Sequence, residues 1–103
     1  AMVVIDVNTG KAIKGQDTQE HFLNINLEAA TEAMRQITLR NLSGIILIDF
    51  INMKDKEMIG KLMAHMRALS AEDEIQTNVV DMTALQIMEV TRKKVFKSLA
   101  EQL

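Results

Sequence analysis

The apolar run from Gly44 to Ile51 is the sequence feature that most constrains what this chain can fold into. The run is short and rich in β-branched residues, which is typical of a strand buried on both faces. It contains one carboxylate, Asp49, and burying an unpaired charge is costly. Asp49 therefore either caps the turn that follows the strand or lies at a site that holds a cation.

A similar strand is predicted at the start of the chain, where an apolar run beginning at Met2 includes Asp6 and ends at Asn8. Asp6 and Asn8 are two residues apart, so their side chains lie on the same face of a strand. If this strand neighbours the one that ends near Asp49, the two backbones are about 4.8 Å apart, and the carboxylates repel unless a cation lies between them. Mg²⁺ typically takes one or two carboxylates, so the pattern predicts a metal site suited to phosphodiester chemistry. The alternative is that both acids only cap turns.

The rest of the chain alternates between strand and helix patterns. A capping-box spacing from Asp17 to Glu20 predicts the start of a long helix, and a second such spacing runs from Thr83 to Gln86. The segment from there to Val90 is ambiguous between helix and strand. In order, the predicted elements are strand 2–8, short strand 12–14, helix 18–41, strand 44–51, helix 54–70, strand 77–82 and a last helix whose apolar positions run from Val95 to Leu103. This order, β(β)αβαβα, predicts an α/β fold with a mixed, partly parallel small sheet packed by amphipathic helices.

Size and composition restrict the classes of function. The chain has 103 residues, which suits one domain, and it has no cysteine, which fits a reducing cytoplasm. No apolar stretch is long enough to span a membrane. With three aromatic residues and a net charge of −2, the chain lacks the stacking platforms and basic surface of a free-standing nucleic-acid binder. Because a buried strand is predicted directly after Ala1, we expect residues 1–103 to be a single domain excised from a longer protein.

Four segments resemble the signature sequences of the ribonuclease E/G family. They occur in the order and with the spacing of the family and cover nearly the whole chain: residues 5–11, 24–30, 39–51 and 88–94. The Asp-Val-Asn-Thr-Gly form of the first segment is closer to the ribonuclease G branch. The sequence departs from the family pattern at Asn52, where many members carry an acid, and at Glu74 and Gln76, where basic residues are common.

The resemblance implies a deoxyribonuclease-I-like catalytic subdomain of a magnesium-dependent endoribonuclease, with Mn²⁺ as a possible substitute metal. The family's two metal-binding aspartates fall on Asp6 and Asp49, and its catalytic asparagine falls on Asn8. The family cuts single-stranded RNA in ribosomal RNA processing and messenger RNA decay, so we expect single-stranded RNA as the partner of a cytoplasmic, homo-oligomeric full-length protein. Their RNA-binding domains would lie outside residues 1–103, so we expect the isolated domain to be nearly inactive.

Basic residues are the candidates for contacts with the RNA backbone. They are Lys11, Arg92, Lys93 and Lys94, of which the last three are expected around the first turns of the final helix. The alternative for this cluster is a solvated helix face. Two other functions remain open for the whole chain, namely a non-catalytic assembly or dimerisation module and, more weakly, a phosphoacceptor domain like those of response regulators.

Overall fold

A computed structural model of the chain describes residues 2–7 and 18–95. The elements in these two ranges are β1 (Met2–Asp6), α1 (Gln19–Leu39), β2 (Gly44–Asp49), α2 (Lys56–Ala71), β3 (Thr77–Met82) and β4 (Ile87–Arg92). The strands form one sheet in the order β1-β2-β4-β3, in which β1 and β2 are parallel and the other pairs antiparallel. The predicted mixed, partly parallel α/β class is confirmed. The predicted short strand at 12–14 and most of the final helix lie outside the described residues.

Both described helices pack on the same face of the sheet. Alternate residues of β2, Ile46 and Ile48, are fully buried in one core with residues of both helices and of β4. Val3 and Ile5 of β1 pack against the same core. Because side chains alternate along a strand, the residues between them point to the opposite face, which we call the open face. Met2 and Val4 of the open face are 63% and 62% exposed.

The ends of α1 are set by local hydrogen bonds. The N-cap is Thr18, whose hydroxyl accepts a hydrogen bond from the backbone N–H of His21, and not Asp17 as the capping-box spacing predicted. At the other end, Asn41 adopts a φ of 50°, and the N–H of Leu42 donates to the carbonyl of Ile37. This is a Schellman motif, in which an asparagine takes the left-handed position that glycine usually fills.

The segment that the sequence left ambiguous is a strand. Residues 83–86 form the turn between β3 and β4, in which the N–H of Gln86 donates to the carbonyl of Thr83. The capping box predicted here is therefore wrong, because the Thr83 hydroxyl accepts from Ile87 at the first position of β4 and not from a helix. The described residues contain no helix that is both long enough and apolar enough to cross a membrane.

A buried ion pair joins three elements at one end of the sheet. Arg92, the last residue of β4, donates two hydrogen bonds to the carboxylate of Asp73, with N–O distances of 2.8 and 3.2 Å. The two side chains are 3% and 4% exposed. Arg92 also donates to the Asn41 side chain and to the Leu42 carbonyl, so it ties the end of α1 to the connection between α2 and β3. Every charge in this cluster therefore has a partner, as burial requires.

The pair lowers the pKa of the Asp73 carboxyl. Hydrogen bonds from Arg92, and then from Thr77 and the backbone N–H of Ile75, lower the pKa of the Asp73 carboxyl from 3.8 to about 2, against the opposing effect of burial. Because the pKa is lower in the folded state than in the unfolded state, the stabilisation is complete above about pH 4. It is lost as the pH falls towards 2.

We predict that Asp73→Asn lowers the free energy of unfolding by about 3–5 kcal/mol at pH 7, because it leaves the Arg92 guanidinium buried without a counter-charge. The difference from wild type should shrink by about 2 kcal/mol as the pH falls from 4 to 2. Urea unfolding at several pH values measures both effects. Glu32→Gln is the matched control, since Glu32 pairs with Arg35 on the exposed surface and its removal should change stability little. A difference that does not vary with pH would contradict the prediction.

Candidate active site

Asp6 and Asp49 lie opposite each other on neighbouring strands. β1 and β2 pair in parallel, and their register aligns the α-carbon of Asp6 with that of Asp49. The backbone N–H of Val7 donates to the carbonyl of Asp49 at 2.9 Å, so the pairing continues to the last residue of β2. Both strands end at the same edge of the sheet, and the structure thus brings together two acids that are far apart in sequence, about one strand spacing (~4.8 Å) from each other.

Both carboxylates belong to the open face. Ile5 and Ile48, their preceding neighbours, point into the core, so Asp6 and Asp49 point away from the helices. Asp6 is exposed and Asp49 is half-buried, which leaves both accessible to an ion or a substrate. Two like charges directly opposite each other on a sheet are destabilising, and a bound cation would offset this repulsion.

The remainder of the open face is acidic and apolar. Glu89 of β4 faces the same side, and Asp81 of β3 is its register partner beyond a bulge that adds Val80 to the strand. Exposed apolar residues on the strands of this sheet are Met2, Val4, Ile45 and Val80. Within the four described strands, no lysine or arginine falls on the open face, since the Arg92 side chain is buried on the other side. The four described strands therefore present no counter-charge to a polyanion on this face.

The donor set at the edge fits a hard cation with few protein ligands. Two carboxylates on adjacent strands supply oxygen atoms, which Mg²⁺ prefers, and Mg²⁺ usually keeps several waters and binds only one or two carboxylates. Among the residues that the structure describes, no group of three or more His, Cys, Asp or Glu side chains is arranged to hold a metal. The chemistry of the pair thus suits Mg²⁺ and does not suit an all-protein metal cage.

Two of the other predicted site residues, Lys93 and Lys94, are not brought to this edge. Asn8 and Lys11 lie outside the described residues. Lys93 and Lys94 are exposed, but they follow β4 at the opposite edge of the sheet, where Arg92 pairs with Gly44. Five register steps separate that pair from the pair of Asp49 and Ile87, a distance of roughly 17 Å at 3.4 Å per residue.

Arg92 has a structural position that the sequence did not indicate. It was expected on a solvated helix, but it ends β4, and its side chain is 3% exposed and bonded to Asp73, Asn41 and Leu42. A guanidinium with this many internal partners is not displayed on the surface of the described domain. We therefore leave Arg92 out of the residues proposed below to act on RNA.

Two side-chain amides form hydrogen bonds with the backbone that follows Asp49, and neither was predicted from the sequence as a functional residue. Asn26 of α1 donates to the Ile51 carbonyl at 2.9 Å and accepts from the Ile51 N–H at 3.0 Å. Gln86 makes the same two bonds to Met53, each at 2.6 Å. Asn26 interrupts the apolar stripe of its helix, a signal that could have identified it as a buried polar group with a specific partner. Gln86 carried no such signal.

Comparison with known proteins identifies the family. Residues 1–95 match the model of the "Ribonuclease E/G family". The chain is 37% identical over 103 residues to Ribonuclease G of Haemophilus influenzae and 34% identical over 103 residues to that of Escherichia coli, covering all of this chain and 21% of each relative. It is 38% identical over 101 residues to Ribonuclease E of Synechocystis, covering 98% of this chain and 15% of that relative.

The chain thus spans about a fifth of the length of the ribonuclease G relatives. Identity to relatives of the G and E kinds is nearly equal, at 37% and 38%, so these values do not separate the two branches. The family match extends over both strands that carry the acid pair and over the whole described sheet. The chain is therefore a member of the ribonuclease E/G family.

Proposed function

We propose that this chain is the catalytic subdomain of a magnesium-dependent endoribonuclease that hydrolyses phosphodiester bonds of single-stranded RNA in the longer protein. The observation that carries the proposal is the register of Asp6 with Asp49 at the carboxyl ends of two parallel strands. Membership of a family whose relatives are named ribonucleases supports the class of reaction. Two oxygen-donor side chains at an accessible edge support the choice of metal.

The side chains of Asp6, Asp49 and Asn8 would have different roles in the reaction. Asp6 and Asp49 would hold Mg²⁺ through their carboxylates, and Mn²⁺ could replace it because it takes the same oxygen ligands. When bound there, the metal would supply an activated water and would neutralise charge on the phosphate. Asn8, two residues after Asp6, would orient that water or a phosphate oxygen by hydrogen bonding. The protein thereby positions the reacting groups, while a rigid sheet edge keeps the two carboxylates aligned.

Binding of the RNA itself would depend on other parts of the longer protein. The open face is acidic near the proposed site, so its own charges repel a phosphate backbone. Single-stranded nucleic acid is normally held by basic grooves and aromatic stacking, and the chain has three aromatic residues, all phenylalanine. We therefore assign the described domain the cleavage chemistry and assign most of the RNA affinity to regions beyond it.

A second candidate is a non-catalytic assembly module. Met2, Val4 and Ile45 are exposed and apolar on the open face, as a surface that docks another protein segment would be. On this view Asp6 and Asp49 would only cap the strand ends. Replacement of Asp49 separates the candidates, because an assembly module would tolerate it without loss of turnover.

We predict that Mg²⁺ stabilises the 103-residue chain, by about 1.4 kcal/mol at about ten times its dissociation constant. Asp6→Asn and Asp49→Asn should abolish this gain and, without Mg²⁺, should leave stability unchanged or raise it by roughly 0.2–1 kcal/mol, because the repulsion between the acids is removed. Thermal unfolding with and without MgCl₂ measures both effects. Asp81→Asn, on the edge strand of the same face, is the control and should keep the response.

We predict that Asp49→Asn in the full-length protein slows cleavage of a single-stranded oligoribonucleotide by at least about a hundredfold, since a metal ligand is lost. Binding of the same oligoribonucleotide should be retained, because the RNA is held elsewhere. A cleavage assay and a fluorescence binding titration, with Asp81→Asn as the control, measure the two properties. Normal turnover in Asp49→Asn would exclude the nuclease role and favour the assembly module.

We also predict that the 103-residue chain alone cleaves the oligoribonucleotide at least about a hundredfold more slowly than the full-length protein, because it cannot hold RNA in register with the metal. Single-turnover assays at equal enzyme concentrations measure the ratio. Cleavage by the isolated chain at a rate close to that of the full-length protein would show that the domain binds RNA by itself.

A further inference from the structure

The segment that follows Asp49 leaves the sheet, but three of its first four residues are buried. Residues 50–55 connect β2 to α2 without regular secondary structure, yet Phe50, Ile51 and Met53 are among the buried residues of the protein. Backbone N–H and carbonyl groups of a buried segment must find partners, and a segment outside the sheet has no neighbouring strand to supply them. The source of those partners therefore determines how firmly the end of β2 is held.

Two side-chain amides replace the missing strand. Asn26, fully buried in α1, bonds to both the N–H and the carbonyl of Ile51, and Gln86 bonds to both groups of Met53. Each amide satisfies the same residue twice, as a residue of an adjoining strand does in a ladder. Gln19 adds a third contact, because its side-chain oxygen accepts from the N–H groups of Lys54 and Asp55 at 2.6 and 3.3 Å. We call Asn26 and Gln86 the amide clamp.

The backbone of Gln86 also points to a role for its side chain. Its φ is 61°, in the left-handed region that favours glycine and is uncommon for a residue with a long side chain. Its neighbour Leu85 is 74% exposed in the same turn, whereas the Gln86 amide reaches the backbone of Met53. A glutamine at this position costs backbone strain, and the two hydrogen bonds to Met53 offset that cost.

We propose that the amide clamp positions Asp49. Asp49 is the last residue of β2 in the ladder with β4, and the first clamped residue, Ile51, follows two positions later. Asp49 is thus held on one side by the sheet and on the other by Asn26 and Gln86, which keep its carboxylate aligned with that of Asp6 for a shared divalent cation. This inference rests on the proposed function, and both clamp residues act through Asp49 without touching the metal or the RNA.

A looser end of β2 would have a specific consequence. The two carboxylates would have to be ordered when the cation binds, so the affinity for Mg²⁺ would fall. Residues that support a metal ligand from outside typically change metal affinity by about 10–100-fold when they are replaced. Affinity for RNA should not change, because the clamp contacts only buried backbone. A role confined to stability would lower the melting temperature without this selective effect on the metal.

The test compares Gln86→Gly and Gln86→Met with wild type. Both substitutions remove the clamp on Met53, but glycine relieves the strain at positive φ and methionine keeps it, so a shared effect comes from the lost hydrogen bonds. We expect the MgCl₂ concentration that gives the same rise in melting temperature of the 103-residue chain to be about tenfold higher in both variants than in wild type. Half-saturating MgCl₂ for cleavage by the full-length protein should rise in parallel, while KM for the oligoribonucleotide stays within about twofold.

The control is Leu85→Ala, which alters the same turn and should leave all three values unchanged. An effect of only one of the two Gln86 variants, or a failure of either to fold, would overturn the inference, because the amide would then serve the backbone or stability and not the metal. Unchanged Mg²⁺ dependence in both Gln86 variants would also overturn the inference. Asp49→Asn, assayed alongside, separates a failure of this inference from a failure of the proposed function. If Asp49→Asn still cleaves RNA, the proposed function is wrong, whatever the Gln86 variants do.

Discussion

Burial of alternate residues of β1 and β2 against the helices is the constraint on which the rest of the structure depends. Ile46 and Ile48 are fully buried, and Val3 and Ile5 pack on the same core. A slip of one residue would move every side chain of a strand to the other face, placing Asp49 in the core and two isoleucines in water. Hydrophobic burial therefore fixes the register, and the register places the two acids together without any attraction between them.

The carboxylates at the two edges of the sheet differ in whether they are paired with a positive charge. At one edge, the Asp73 carboxylate is buried and fully paired with Arg92, which lowers its pKa to about 2 and joins the α1–β2 turn to the α2–β3 connection. At the other edge, Asp6 and Asp49 face each other without an ion pair to a described residue and are accessible. Paired charges stabilise the first edge, whereas the two acids at the second have no counter-charge among the described residues.

Much of the fold could be predicted because its signals are local. The apolar runs that contain Asp6 and Asp49, and the stripes of the two helices, follow from periodicities of 2.0 and 3.6 residues. The hairpin of β3 and β4 was missed because its turn ends in Gln86 with φ at 61°, where a glycine or asparagine would have indicated a turn. Arg92 was expected on the last helix, as a candidate RNA contact or on a solvated face, because its charge was considered apart from the strand alternation that buries it.

By itself, the sequence indicated β1, α1, β2, α2 and β3, that two strands carry acids at their ends, and that the chain resembles the ribonuclease E/G family. Only the tertiary structure decided that β1 and β2 are neighbours in register, that both described helices pack on one face of the sheet, and that Asn26 and Gln86 bond to the backbone just after β2. The physical reason is the separation of the bonded residues along the sequence. Those hydrogen bonds join residues 25 and 33 positions apart, and no local pattern specifies a partner at such a separation.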